Sequence, residues 1–195
     1  MKKKVVIVLD NDECTGQYVL GSVFHTHILS MNKNINYNKL VELFVNYYLK
    51  INSYTPTKND IGLVGCARPG LYFLLKLLNE YKKLKIVHKV VMYTSAPNED
   101  DWVIFLKDCL EKYSECKGLF DLVLHRGSFP KAKVTESGAT IKDLKYVYKN
   151  NIINPDNLPP DNFKIIMLDD NPQNINKYHK NNYVYGVSPY NHMIG

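Results

Sequence analysis

Short runs of mostly apolar residues recur along this chain, at Val5–Leu9, Val90–Tyr93, Asp121–Leu124, Ile165–Leu168 and Tyr183–Val187. Runs of this length, rich in β-branched residues and bounded by polar clusters, predict strands buried on both faces. Longer segments with helical spacing separate them. LYFLLKLLNEYKKL (71–84) predicts a strongly apolar helix, and NEDDWVIFLKDCLEKY (98–113) a second. Asn98 suits the N-cap of that second helix, and Glu99, Asp100 and Asp101 suit its positive end. IKDLKYVYKN (141–150) predicts a short helix opened by Lys142, and PQNINKYHK (172–180) a helix at least at its start. Alternation of strand and helix predicts an α/β fold with a parallel sheet.

The spacing breaks once. A plain βαβ unit takes about 30 residues or slightly more, yet far more chain separates Leu9 from Val90. The surplus, about residues 16–65, is expected to be a helical insertion above the strand ends, where it would cover the site and shape substrate choice. In it, Val19, Val23 and Ile28 have helical spacing, as do Leu40, Leu43, Phe44, Tyr47 and Ile51. SYTPTKND (53–60) reads as a loop. The whole, residues 1–195, is expected to be one domain.

The ends of the first and fourth strands supply the chemistry. VVIVLDNDECTG (5–16) delivers Asp10 and Asp12 to a strand end, and KIIMLDDNP (164–172) delivers Asp169 and Asp170. Ligands bind at the carboxyl edge of open α/β sheets. Carboxylates this close repel each other and invite a divalent cation, which points to magnesium-dependent phosphoryl transfer. Thr94 and Ser95 come after the second strand, and Lys142 after the third. A phosphate monoester brings about two negative charges, and Asp10, Asp169 and Asp170 would raise the total to about five. Magnesium and Lys142 offset three of these. The Thr94 hydroxyl and backbone N–H groups near Asn11, Asp12 and Ser95 are the natural donors for the rest. Asp10 can attack phosphorus, giving an aspartyl-phosphate. Asp12 can protonate the leaving oxygen and later take a proton from water, and its backbone carbonyl can ligate magnesium.

Composition narrows the setting. No apolar run approaches the roughly 20 residues that span a bilayer. The start MKKKVVIVLD, interrupted at once by an acid, is not read as a signal peptide. Cys14, Cys66, Cys109 and Cys116 form no C-x-x-C pair and read as free thiols, so an intracellular location, cytoplasm or nucleus, is expected. Cys14 lies beside the carboxylates, which should raise its pKa and leave it a packing role. The histidines show no ligand spacing. The net charge of +6 suits an anionic partner, but solvated segments such as YKKLK (81–85) carry many of the lysines, which argues against nucleic acid.

These residues together resemble the phosphatases of the haloacid dehalogenase superfamily. Asp10, Asp12, Thr94, Lys142, Asp169 and Asp170 match that pattern in type and order; Lys131 and Lys133 lie near enough to serve in place of Lys142. Within the superfamily the chain is most similar to the small phosphatases of the RNA polymerase II carboxy-terminal domain, the NLI-interacting-factor-like family. ARPGLYFLLKLL (67–78), VVMYTSAP (90–97), LHRGSF (124–129), IKDL (141–144) and LDDNP (168–172) repeat the layout of that family. The resemblance implies a Rossmann-like sheet of order 5-4-1-2-3 with helices on both faces. It implies a phosphoserine or phosphothreonine protein as substrate, with Arg68 and Arg126 as possible substrate contacts. A small phosphorylated metabolite is the alternative. So is a catalytically dead interaction module on the same fold, although Asp10, whose loss would mark one, is present. Cys14 stands where the family has Thr, Asn11 where it has an apolar residue, and the helical stretch 16–60 where it has a short β segment.

Overall fold

Alternation along the first strand, β1 (Lys4–Leu9), divides the interior in two. Val6 and Val8 point into one apolar cluster, Leu9 into the other, and Ile7 packs against the same side as Leu9. The computed structural model describes residues 3–16, 18–31, 34–49, 67–68, 70–128, 134 and 140–190. After β1 come α1 (Val19–Met31) and α2 (Tyr37–Phe44), the latter running into a π-helical turn at Val45–Leu49. Next are α3 (Leu71–Lys83), β2 (Lys89–Tyr93), α4 (Trp102–Ser114) and β3 (Leu122–Leu124). β4 (Lys142–Asp143), α5 (Lys145–Tyr148), β5 (Phe163–Asp169), β6 (Ile175–Asn176) and β7 (Tyr183–Gly186) complete the order.

The main sheet has five parallel strands in the order β3-β2-β1-β5-β7. This is the predicted order, with β5 and β7 as the fourth and fifth predicted strands. One face is covered by α2, α3 and α4 through residues such as Phe44, Leu75 and Leu106. The other is covered by Leu144, Val147 of α5 and Ile153. No helix among the described residues is long and apolar enough to cross a membrane.

Three predicted elements come out differently. The 141–150 segment is not one helix: Lys142 lies on β4, paired in parallel with β6, and the α-helix begins only at Lys145. The 172–180 segment makes a single 3-10 turn, Pro172–Asn174, then enters β6. The helix predicted from Asn98 begins as a 3-10 turn, Glu99–Asp101, and becomes α-helical at Trp102. Asn98 still caps it, its Oδ1 accepting from the Val103 N–H at 2.8 Å.

Helices do occupy the stretch after β1. Phe44 meets Trp102 and Phe105 of α4 edge-on, at 5.8 and 5.3 Å between ring centres. The buried face differs from the predicted one. Leu40, Val41, Phe44, Val45 and Leu49 are buried, whereas Leu43 and Tyr47 are exposed. The π turn carries about one extra residue per turn, which keeps Val45 and Leu49 on the inner face. Ile51 and the 53–60 loop lie outside the described residues. On α1, Val23 is exposed and His25 is buried.

His25 stacks on Phe105 at 4.3 Å and near Trp102 at 5.6 Å, and its Nδ1 has no hydrogen-bond partner among the described residues. Burial holds its imidazole below the ordinary value of 6.5, against the opposing pull of Asp100 and Asp101. Folding therefore favours neutral His25. Its contribution to stability is complete above the unfolded pKa and is lost as pH falls below about 6.5. Thermal melts of wild type and His25→Phe between pH 5 and 8 test this. The advantage of wild type over the variant shrinks as pH drops; a constant difference would contradict it. Comparing the two proteins cancels Asp10 and Asp12, whose raised pKa values act in the opposite direction.

Candidate active site

β1 and β5 are parallel neighbours in a register that sets Leu9 beside Leu168. The backbone N–H of Asp10 continues this ladder onto the Leu168 carbonyl at 3.0 Å. Asp10 and Asp169 thus leave adjacent strands at the same edge, and Lys142 joins them. Its Nζ lies 2.6 Å from Asp10 Oδ1 and 2.7 Å from Asp169 Oδ2. Asp10, Asp169 and Lys142 are only 4%, 0% and 5% exposed, so the cluster is a desolvated charge network.

The small β4–β6 ladder aims Lys142. β6 comes after the turn that leaves β5, so its partner β4 is carried to the same edge. Tyr93, at the end of β2, accepts the Asp143 N–H at 3.0 Å through its buried hydroxyl. The Asp143 carboxylate accepts from the Lys145 N–H and from Asn176 Nδ2. Tyr93, Asp143 and Asn176 therefore fix the lysine, a role for which their sequence gives only the weak signal of adjacency.

Carboxylate oxygens of Asp10, Asp169 and Asp170 lie within 4.8 Å of one another. Three hard oxygen donors at that separation fit a small divalent cation such as magnesium. The Asp12 side chain is outside this trio. Burial pushes the Asp10 carboxyl up to about 8, against Lys142, with Asp169 adding to the rise. Burial likewise pushes Asp12 up to about 6, opposed by Lys142 and reinforced by Asp170 and Glu13. A cation bound beside Asp10 would oppose the rise there.

A cleft of about 350 Å³ opens over these groups, with Asp10, Asp12, Thr94, Ser95, Arg126, Lys142, Asp169 and Asp170 among its lining. Thr94 is 1% exposed, and its Oγ1 accepts the Ala96 N–H at 3.0 Å. Arg126 Nε donates to the Ser95 carbonyl at 2.9 Å. Tyr18, Thr140 and Asn174 also line the cleft; they come from segments that carry no motif, and nothing in the sequence singles them out. Lys131 and Lys133 lie outside the described residues.

No family model matches the chain, and no curated protein matches it. Among solved structures it is similar to a Thermotoga maritima chain described as a "putative beta-phosphoglucomutase". That likeness covers 86% of this chain and 76% of the other, at 13% identity and a TM-score of 0.36. Both values are too low for it to bear on family or function.

The side chains of Asn11 and Arg68 face away from the cleft. Asn11 does not line the cleft: its Nδ2 donates to Met92 Sδ at 3.3 Å, and its buried Oδ1 has no partner among the described residues. Its carbonyl holds the adjoining turn, accepting the Thr15 N–H at 2.9 Å and the Thr15 hydroxyl at 3.0 Å. Arg68 is also absent from the cleft lining. Its Nε donates to the Cys14 carbonyl at 2.7 Å, and its Nη2 to the carbonyls of Glu13 (2.8 Å) and Ser188. The guanidinium also lies 5.3 Å from the Tyr190 ring centre. It straps the turn after Asp12, where Glu13 takes a left-handed φ of 58°, to the segment after β7. Cys14 is buried in that turn, its Sγ 3.5 Å from the Leu168 carbonyl. Burial, then Asp10 and Asp169, push its thiol up to about 12.

Proposed function

We propose that this protein is a magnesium-dependent phosphomonoesterase of the haloacid dehalogenase type. The observation that carries the reading is Lys142 bridging Asp10 and Asp169 at the carboxyl edge of adjacent parallel strands. In this reading Asp10 attacks phosphorus as the P–O bond to the alcohol breaks. Asp12 gives its proton to the departing oxygen. Water, deprotonated by Asp12, then attacks the aspartyl-phosphate, releasing phosphate and regenerating Asp10. Lys142 and the Thr94 hydroxyl offset and orient the phosphoryl oxygens. Magnesium held by Asp10, Asp169 and Asp170, with the Asp12 carbonyl, would supply further positive charge to those oxygens.

The motif layout supports a phosphoserine or phosphothreonine protein as the substrate. A small phosphate ester is the second reading, favoured by a further cavity beside Asp12 that is large enough for one small alcohol. Free, buried Cys14, Cys109 and Cys116 support a reducing, intracellular setting.

Hydrolysis of an aryl phosphate tests the chemistry. Activity should fall by at least about 100-fold with chelator and return with magnesium; activity that persists in chelator removes the metal from the reading. Ranking phosphopeptides against sugar phosphates by kcat/KM tests the substrate. Equal or better turnover of sugar phosphates would move the reading to metabolites.

A further inference from the structure

A second cavity of about 530 Å³ adjoins the catalytic cleft, and the two share Asp12 and Tyr18 as walls. Asp12 is the group assigned above to protonate the departing oxygen. The alcohol side of a substrate must therefore lie within reach of it, and the second cavity opens on that side. Its size is that of ordinary small-ligand sites.

Both cavities carry more acids than bases in their walls, but among the described residues only the cleft has lysine or arginine there. Lys142 and Arg126 face the cleft, where a phosphate would sit. Among the described residues no lysine or arginine lines the second cavity, where Glu99 is the charged residue beyond Asp12. Ser22, Thr26 and Ser30 enter from α1 at four-residue spacing, which places them along one stripe of the helix. Val23 and Trp102 supply apolar wall, and His27 adds a further titratable group. Glu99 is not consumed in capping α4, because Asn98 already takes the Val103 and Ile104 N–H groups. The hydroxyls can hydrogen-bond polar groups of either kind, whereas the Glu99 carboxylate accepts from an uncharged or cationic group and repels an anion.

We infer that this cavity receives the alcohol part of the substrate, and that Glu99 selects phosphate esters bearing a neutral or positive neighbour over those bearing a second anion. The inference rests on the phosphomonoesterase reading and sharpens it. A phosphopeptide with a basic residue beside the phosphoserine and a phosphorylated amino alcohol share this chemistry.

The test uses one phosphoserine peptide with Lys, Gln or Glu at the adjacent position. A phosphorylated amino alcohol and a bisphosphate form a parallel arm, and an aryl phosphate serves as reference. Partly exposed charge pairs are weak, so kcat/KM should favour Lys over Glu by about fivefold at low salt, and less at high salt. Glu99→Lys should reverse the order and Glu99→Gln should flatten it. Glu80→Lys, on exposed α3 surface, should preserve it. Preference in the peptide arm alone assigns the cavity to a peptide side chain, and preference in the small-molecule arm alone assigns it to an amino alcohol. Aryl phosphate turnover with equal rates for Lys and Glu peptides, and for amino alcohol and bisphosphate, overturns the inference alone. So does a ratio unmoved by Glu99→Lys. No turnover of any ester overturns the phosphatase reading, and this inference with it.

Discussion

Asp10→Asn is expected to lower kcat by at least roughly 10³-fold, the scale on which loss of a covalent nucleophile acts, without lowering the melting temperature. The amide keeps the shape of the carboxylate but cannot attack phosphorus. The fold should tolerate it because burial already disfavours the ionised acid, pushing it up to about 8. Lys142 keeps its second partner, Asp169, at 2.7 Å. A thermal melt beside the kinetic assay separates lost chemistry from lost structure, and wild-type turnover by the variant would remove Asp10 from the mechanism. Asp12→Asn should behave differently. It should cost about 10²–10⁴ on alkyl phosphates, whose leaving group needs a proton, and much less on activated aryl esters.

Lys142→Met should have the largest effect on stability. It leaves Asp10 and Asp169 buried side by side with their shared cation gone, a change that typically costs about 3–5 kcal/mol. For a chain of this size that is roughly a 10 °C drop in melting temperature. The deficit should grow with pH. Without the lysine the Asp10 carboxyl rises further, so the folded state holds a proton that the unfolded chain releases above about pH 4, and stability declines as pH rises. Wild-type Asp10 itself keeps its proton to about pH 8, so the difference between the two proteins should open only above that pH. Melts at pH 7 and pH 9.5 check this, the larger loss being expected at pH 9.5. Adding Asp10→Asn to the variant should recover part of the loss. Equal stability of Lys142→Met and wild type at pH 9.5 would show that the charges are compensated by other means.

The acidic edge of the sheet was legible in the sequence for a physical reason. Strands buried on both faces must be apolar throughout, so the change from VVIVL to Asp10, and from KIIML to Asp169, marks where the sheet ends. Parallel pairing then brings the two acids together. Lys142 was legible as a residue but not as part of a strand, because β4 and β6 are two residues each and leave no periodicity to detect. The true role of Arg68 was hidden because its partners are main-chain carbonyls, which no side chain announces. The inner face of α2 departs from the expected one at Tyr47 because the π turn changes the helical period midway. The second cavity draws its walls from α1, the loop after β2 and the start of α4, segments far apart in the chain and with no shared motif.

The cysteine in the turn after Asp12 bears on how such an enzyme would fare under reactive oxygen. Peroxide attacks thiolates. With its thiol pushed up to about 12, Cys14 is ionised in only about one molecule in 10⁵ at neutral pH. Phosphatases that use a cysteine nucleophile depend on the very anion that oxidants destroy. In the proposed mechanism a carboxylate does the attacking, and burial, with Asp10 and Asp169 adding to it, keeps the neighbouring sulfur protonated. An oxidative burst that silences thiol-based dephosphorylation would leave this site working.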